Sequence, residues 1–161
     1  MILAGDIGGT QTTLALLAAT PGRPPGFDRG AAIVENFASR DFAAFRDILR
    51  DFLGRHRPRL VAGCIGIAGP VLGNRCRATN LPWTVEGAEL APLLGLGELR
   101  LINDLEAVGY GIDLLEPHEI VELQPGAPGA RGNRAVIAAG TGLGEAGLCW
   151  DGRDWHPFAT E

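Results

Sequence analysis

Apolar and polar positions change their period several times along the chain, and each change marks an element. Ile2 to Ile7 (ILAGDI) is a short apolar run of strand type. Gly8-Gly9 is a turn signal, and Thr10 to Leu17 (TQTTLALL) is rich in threonine and leucine. Together they predict a hairpin with a glycine-rich tip. Residues 20–30 (TPGRPPGFDRG) hold three prolines and three glycines, which reads as a surface loop. AAIVENF (31–37) follows as a third strand. Phe42, Phe45, Ile48, Leu49, Phe52 and Leu53 recur at helical spacing and predict an amphipathic helix over 41–53. Ser39 or Asp41 is its candidate cap at the start and Gly54 at the end. LVAGCIGIAG (60–69) is continuously apolar, as in a strand covered on both faces. A strand over 99–102, a helix over LEAVGYGI (105–112) and a strand over 135–139 complete the pattern, with QPGAPGARGN (124–133) as an exposed loop. The order predicts an α/β domain with a mixed sheet flanked by helices.

GTGLGEAG (140–147) contains G-x-G-x-x-G at Gly142, Gly144 and Gly147. A dinucleotide fingerprint needs a strand before it and a helix after it. Here Asp151-Gly152 is a two-residue hairpin signal, so the pattern after the glycines is strand, turn, strand. The dinucleotide reading loses its helix. A tight turn explains some of these glycines, but Gly140, Gly142 and Gly144 with Thr141 are more than a turn requires, since each weakens local structure by roughly 0.5–1 kcal/mol relative to alanine. The N-terminal tip, Gly5-Asp6-Ile7-Gly8-Gly9-Thr10, has the same character. Two such tips facing one another would cradle a polyphosphate with backbone N–H groups. Asp6 reads as a turn-stabilising aspartate or as a carboxylate that holds a phosphate-bound Mg²⁺. Asp104 reads as a helix N-cap or as a general base at the end of a strand, and one carboxylate can do both.

Composition narrows the chemistry. Of 161 residues, 46% are hydrophobic and 20% charged, as in globular domains. The net charge is -5 and there is no basic run, which argues against a nucleic-acid or anionic-membrane partner. No apolar stretch approaches the ~20 residues of a membrane helix. All 14 basic residues are arginine, so a Walker A lysine and a lysine Schiff base are both excluded. Cys64, Cys76 and Cys149 lack disulfide-type spacing, which points to a reducing, cytoplasmic setting. Cys64 and Cys149 lie in strand-like runs and read as buried, inert thiols. His56, His118 and His156 are scattered and form no metal-ligand cluster with them.

GDIGGT (5–10), IAGPV (67–71), TNLPW (79–83), LINDLEAV (101–108) and AAGTGLGEA (138–146), in this order, resemble the bacterial glucokinase family. That family belongs to the hexokinase branch of the actin-like ATPase superfamily, with a ribonuclease H-like domain. The resemblance covers the whole chain. It implies ATP-dependent phosphorylation of glucose at the 6-hydroxyl, with ATP and Mg²⁺ as cofactors. It implies that Gly5, Asp6, Ile7, Gly8, Gly9 and Thr10 form the first phosphate motif, with Asp6 at the metal. Gly140, Thr141 and Gly142 would form the second, with Gly142 approaching the sugar. Asp104 would be the catalytic base, and Asn103 would bond neighbouring sugar hydroxyls. Glu161 matches the glutamate that opens the sugar-binding E-G-G-H motif, and Thr79 and Asn80 are further sugar-contact candidates. Gln11 departs from the asparagine that members often carry after G-G-T.

Members of this family are longer. The resemblance therefore implies that residues 1–161 are a small N-terminal domain whose partner is the larger C-terminal domain of the same polypeptide, with little activity alone. Homodimers are a further possible partner arrangement. A sugar-sensing regulator of the related repressor and kinase family is the competing reading. Such chains usually carry a helix-turn-helix before the first phosphate motif and a cysteine cluster after it; here the first strand begins at Ile2 and the cysteines are scattered.

Overall fold

The computed structural model describes residues 1–19, 32–140 and 142–160. They fall into two compact units, Met1–Asp104 and Leu105–Glu161. The loop expected over 20–30 lies outside the described residues.

In the first unit, β1 (Ile2–Ile7) and β2 (Gln11–Leu17) form the expected hairpin, and β3 (Ile33–Ala38) pairs antiparallel with β2. Helix α1 (Phe45–His56) follows, then β4 (Ala62–Ile67). A small antiparallel sheet comes next, of β5 (Val71–Leu72), β6 (Arg75–Arg77) and β7 (Thr84–Glu86). The short helix α2 (Gly87–Leu90) leads to β8 (Arg100–Asn103). The main sheet has the order β3-β2-β1-β4-β8, with β1, β4 and β8 parallel, so it is mixed as expected.

The core of this unit lies between sheet and helix. Leu3, Leu14, Leu16, Ile65 and Ile67 project from alternate strand positions onto Ile48, Leu49 and Phe52 of α1. Phe52 meets Phe37 edge-on, with ring centroids 6.2 Å apart. Burying a side chain of this size contributes roughly 1.5–3 kcal/mol, so this one helix face supplies much of the stability of the unit.

The helix runs three to four residues later than its apolar spacing predicts, and neither expected cap is used. Ser39–Asp41 form a 3-10 turn, and Ala44 precedes the helix without a side-chain cap. Ser39 is instead fully buried. The helix passes through Gly54 and stops where Arg57 turns left-handed (φ 46), its N–H donating to Leu53 O at 2.8 Å. Arg55 and His56 extend the last turn because both reach Glu35 on β3, and the Arg55 guanidinium is favoured at a helix C-terminus.

The second unit holds α3, which opens at Asp104 and runs to Gly111, and an antiparallel sheet of β9 (Arg134–Ala139), β10 (Leu143–Trp150) and β11 (Trp155–Ala159). Strand, turn, strand after the glycine loop is thus correct. The turn spans Asp151 to Asp154 rather than two residues, because Asp151 Oδ1 accepts from both Arg153 N and Asp154 N at 2.8 Å. Cys149 is exposed rather than buried. The period of two that sends Ala146 and Leu148 inward sends Cys149 outward.

Candidate active site

β1, β4 and β8 end in register: Ile7 lies opposite Ile67, and Ile67 opposite Asn103. Three segments therefore leave the sheet at one level: Gly8-Gly9-Thr10, Ala68-Gly69 and Asp104. They do so at the carboxyl ends of parallel strands, where open α/β sheets present ligands.

In the first segment, Gly8 N–H donates to Gln11 O at 3.0 Å and closes the hairpin turn. Thr10 is exposed and Gly8 and Gly9 are half-buried. Gly5 and Ile7 face the core: a Cβ on Gly5 would lie 2.6 Å from Ile65 Cδ1, and Ile7 is buried. Asp6 stands on the opposite face of β1 and reaches solvent. Desolvation, and then the negative charge of Asp104, push its carboxyl above the ordinary range. The same two causes, in the same order, push up the Cys76 thiol, which is buried on β6. The charge of Asp104 thus reaches both β1 and the small sheet.

The second segment ties the neighbouring loop to this edge. Ala68 N–H donates to Ile7 O at 3.1 Å, and Thr79 N–H donates to Ala68 O at 3.1 Å, with the Thr79 hydroxyl 3.3 Å from the same oxygen. Thr79 and Asn80 are exposed. Asn80 lies against the glycine tip: a Cβ on Gly9 would stand 2.7 Å from Asn80 Cβ. Only a residue without a side chain lets the loop come this close.

In the third segment, Asn103 is buried and its Nδ2 donates to Gly69 O at 3.2 Å. Gly69 itself has φ 139, a backbone conformation that disfavours side chains. Asp104 is half-buried and is the first residue of α3, where a carboxylate faces the positive end of the peptide dipoles. Asp6, Asn80, Asn103 and Asp104 are therefore brought to one edge.

Among the described residues no group of three or more metal-ligating side chains converges. Two mutually repelling carboxylates at a strand edge nevertheless suit Mg²⁺, which takes one or two carboxylates and completes its shell with phosphate oxygens and water.

The second glycine tip belongs to the other unit. Gly140 N–H donates to Gly142 O at 2.8 Å, and both residues are exposed between β9 and β10. Two of the three fingerprint glycines have packing reasons. A Cβ on Gly144 would lie 2.6 Å from Leu105 Cδ2, and one on Gly147 would run into the Phe158 ring. Thr141 and Glu161 lie outside the described residues.

Sequence reasoning missed Thr12, Ser39 and Gly69. For Thr12 a signal existed: it shares the core face of β2 with Leu14 and Leu16, and a hydroxyl there needs a partner. That partner is Ser39 Oγ, at 2.9 Å.

Residues 3–161 match the glucokinase family model. The glucokinase of Nostoc punctiforme is 36% identical over 164 residues, covering 100% of this chain and 46% of that protein. That of Synechocystis sp. is 38% identical, covering 99% and 47%. The crystal structure of a glucokinase from an Antarctic psychrotroph superposes with a TM-score of 0.76 at 27% identity, covering 99% of this chain and 49% of that one. Balamuthia mandrillaris glucokinase, solved in complex with glucose, shares the fold at a TM-score of 0.64 and 24% identity. The chain spans about half the length of the curated relatives it matches. Its α/β fold with a mixed sheet is the one expected, that of the actin-like ATPases. With five motifs in order, four of them meeting at one sheet edge, and a match over nearly its whole length, the chain belongs to the glucokinase family.

Proposed function

We propose that this chain carries phosphate- and sugar-binding elements of a cytoplasmic, ATP-dependent glucokinase that converts glucose to glucose 6-phosphate. The alignment of Ile7, Ile67 and Asn103 supports this reading most directly, because it brings the glycine tip, the Thr79-Asn80 loop and Asp104 to one edge. Asp104 accepts the proton of the 6-hydroxyl. The freed oxygen bonds to the γ-phosphorus, the bond to the β,γ-bridging oxygen breaks, and ADP leaves. Phosphoryl transfer asks mostly for positioning and charge neutralisation, which backbone donors supply here without any lysine. Gly8, Gly9 and Thr10 hold phosphate oxygens, with Gly140, Thr141 and Gly142 as the second tip. Asn103, Thr79, Asn80, Gly142 and Glu161 orient the sugar. Asp6 would hold Mg²⁺, which would supply charge neutralisation at the phosphates.

Because the relatives are longer, the 161-residue chain alone is expected to turn over little, with the remainder of the enzyme supplying the rest of the cleft. The test is a coupled assay for glucose-dependent ADP formation, run on this chain and on the longest gene product that contains it. In the latter, Asp104→Asn is expected to lower kcat by about 10²–10⁴ with the circular dichroism spectrum unchanged. Wild-type turnover by that variant would reject Asp104 as the base.

A further inference from the structure

We infer that Ser39, backed by Thr12, is a positioning residue that aims the Gly9 N–H at a nucleotide phosphate; the inference rests on the ATP-dependent reading above. Ser39 lies outside every phosphate motif, in the 3-10 turn after β3, and both it and Thr12 are fully buried.

The hydrogen bonds have a fixed direction. Ser39 Oγ is 2.9 Å from Gly8 O, and a carbonyl oxygen can only accept, so the single Ser39 proton is committed there. Thr12 Oγ1, 2.9 Å from Ser39 Oγ, must then be the donor in that pair. The relay runs from Thr12 to Ser39 to the Gly8 carbonyl. A second contact fixes the same turn from its other side: Ser39 N–H donates to Thr10 O at 3.0 Å. One buried residue thus holds the carbonyls on both flanks of Gly9.

The consequence lies in the peptide plane. The Gly8–Gly9 bond is trans, as are all the peptide bonds described. In a trans peptide the C=O and the following N–H point in opposite directions. Drawing the Gly8 carbonyl down onto Ser39 therefore turns the Gly9 N–H away from the core. No described residue accepts from that N–H through a backbone contact. Glycine has no side chain to hold its peptide plane, so without the relay the Gly8–Gly9 plane is free to turn over. An oriented, unspent N–H at a glycine tip is the element from which anion-binding concavities are made.

The experiment uses the longest gene product containing this chain, with Mg²⁺ and the non-hydrolysable analogue AMP-PNP as probe and calorimetry as readout. Thr12→Val keeps the shape and removes the relay donor; Thr12→Ser keeps the donor; Ser39→Ala removes the contact itself. Ser39→Ala is expected to weaken AMP-PNP binding roughly tenfold, Thr12→Val by less, and Thr12→Ser is expected to restore it. Glucose affinity is expected to stay within twofold of wild type in all three, a split that a general loss of structure would not produce. Should Ser39→Ala fail to fold, the Thr12 pair carries the comparison. AMP-PNP binding unchanged in Thr12→Val and Ser39→Ala, or glucose and nucleotide affinities falling together, would overturn the inference. Failure of the ATP-dependent kinase reading shows separately, as a wild type that forms no ADP with glucose while still binding AMP-PNP.

Discussion

At Asp6 the sheet edge holds a carboxylate whose proton affinity is raised by desolvation and then by the charge of Asp104. The folded chain binds that proton more tightly than the unfolded chain. The associated stability is present below the ordinary carboxylate range and is lost as pH rises through the raised folded value. At neutral pH the ionised Asp6 therefore costs stability. Asp6→Asn removes the charge at nearly constant volume, so it is expected to melt above wild type at pH 7, with the gap closing as pH falls toward about 4. A variant that melts below wild type at pH 7 contradicts this. In the longest gene product that contains the chain, the proposed function expects the same change to lower Mg²⁺-dependent turnover, the pattern of a residue retained for chemistry against the fold. Gly69 makes the opposite case, where fold and site agree. A Cβ there would meet Arg77 O and Thr79 Oγ1 at 3.1 Å on a backbone of φ 139. Gly69→Ala is expected to cost about 1–3 kcal/mol in urea unfolding. Because the Gly69 carbonyl holds Asn103, the change is also expected to raise KM for glucose more than KM for ATP.

The strand that delivers Asp104 depends on a side chain from another element. Asn74, left-handed at φ 61 in the turn between β5 and β6, donates through Nδ2 to Leu99 O at 2.9 Å. Its Oδ1 accepts from Leu101 N at 2.8 Å. The amide acts as a one-residue strand on the free edge of β8. Asn74→Ala leaves a buried N–H and C=O without partners and keeps an unfavourable φ, a loss of about 2–4 kcal/mol expected in denaturant titration. Asn74→Gly relieves the φ and is expected to recover about 1 kcal/mol of that. If Ala and Gly prove equal, backbone strain plays no part. A Cβ on Gly87 would run into this same amide and into Leu99 O, so Gly87→Ala disrupts the clamp from the other side. None of this was legible in the sequence. β1, β2, β3, β4, β8 and α1 were, because each carries its own apolar run or period. β5 to β7 are two or three residues each, too short to show a period, and exist because Asn74 and the core side chains Cys76 and Val85 hold them. The motifs gave the candidate residues, since Asp6, Asn103 and Asp104 stand at or just beyond the carboxyl end of a readable strand. The parts that hold them in place were not readable. Ser39 looked like a helix cap because its role depends on Thr12 and Gly8, which precede it by 27 and 31 positions.

Across the whole chain, the two units differ in how much holds them together. The first has a continuous core of more than twenty buried residues, from Leu3 to Leu101. In the second, the buried cluster is Leu105, Val136, Ala146 and Leu148, with Ile112, Ala138 and Trp155 packed at its edge. Large apolar side chains stand open in the same unit: Val121 is 80% exposed, Leu123 93% and Ile137 66%. A tilted Trp150–Trp155 pair and arginine contacts support its sheet, as where the Arg134 guanidinium lies 3.3 Å from the Trp155 ring centroid, but such contacts contribute only about 0.5–2 kcal/mol each. A unit of this size with so small a core falls short of independent stability, since conformational entropy grows with every residue ordered while apolar burial does not. Hydrogen exchange of the 161-residue chain, followed by mass spectrometry, is expected to show this directly. Amides of β9 to β11 are expected to exchange at least about 100-fold faster than those of β1 and β4, a gap of roughly 3 kcal/mol in opening free energy. Equal protection in the two sheets would show that the four-residue cluster suffices. In a gene product of the relatives' length that contains this chain, protection of β9 to β11 is expected to rise toward that of β1 and β4. Unchanged protection there would mean that the exposed Val121, Leu123 and Ile137 are an ordinary surface rather than one that added chain covers.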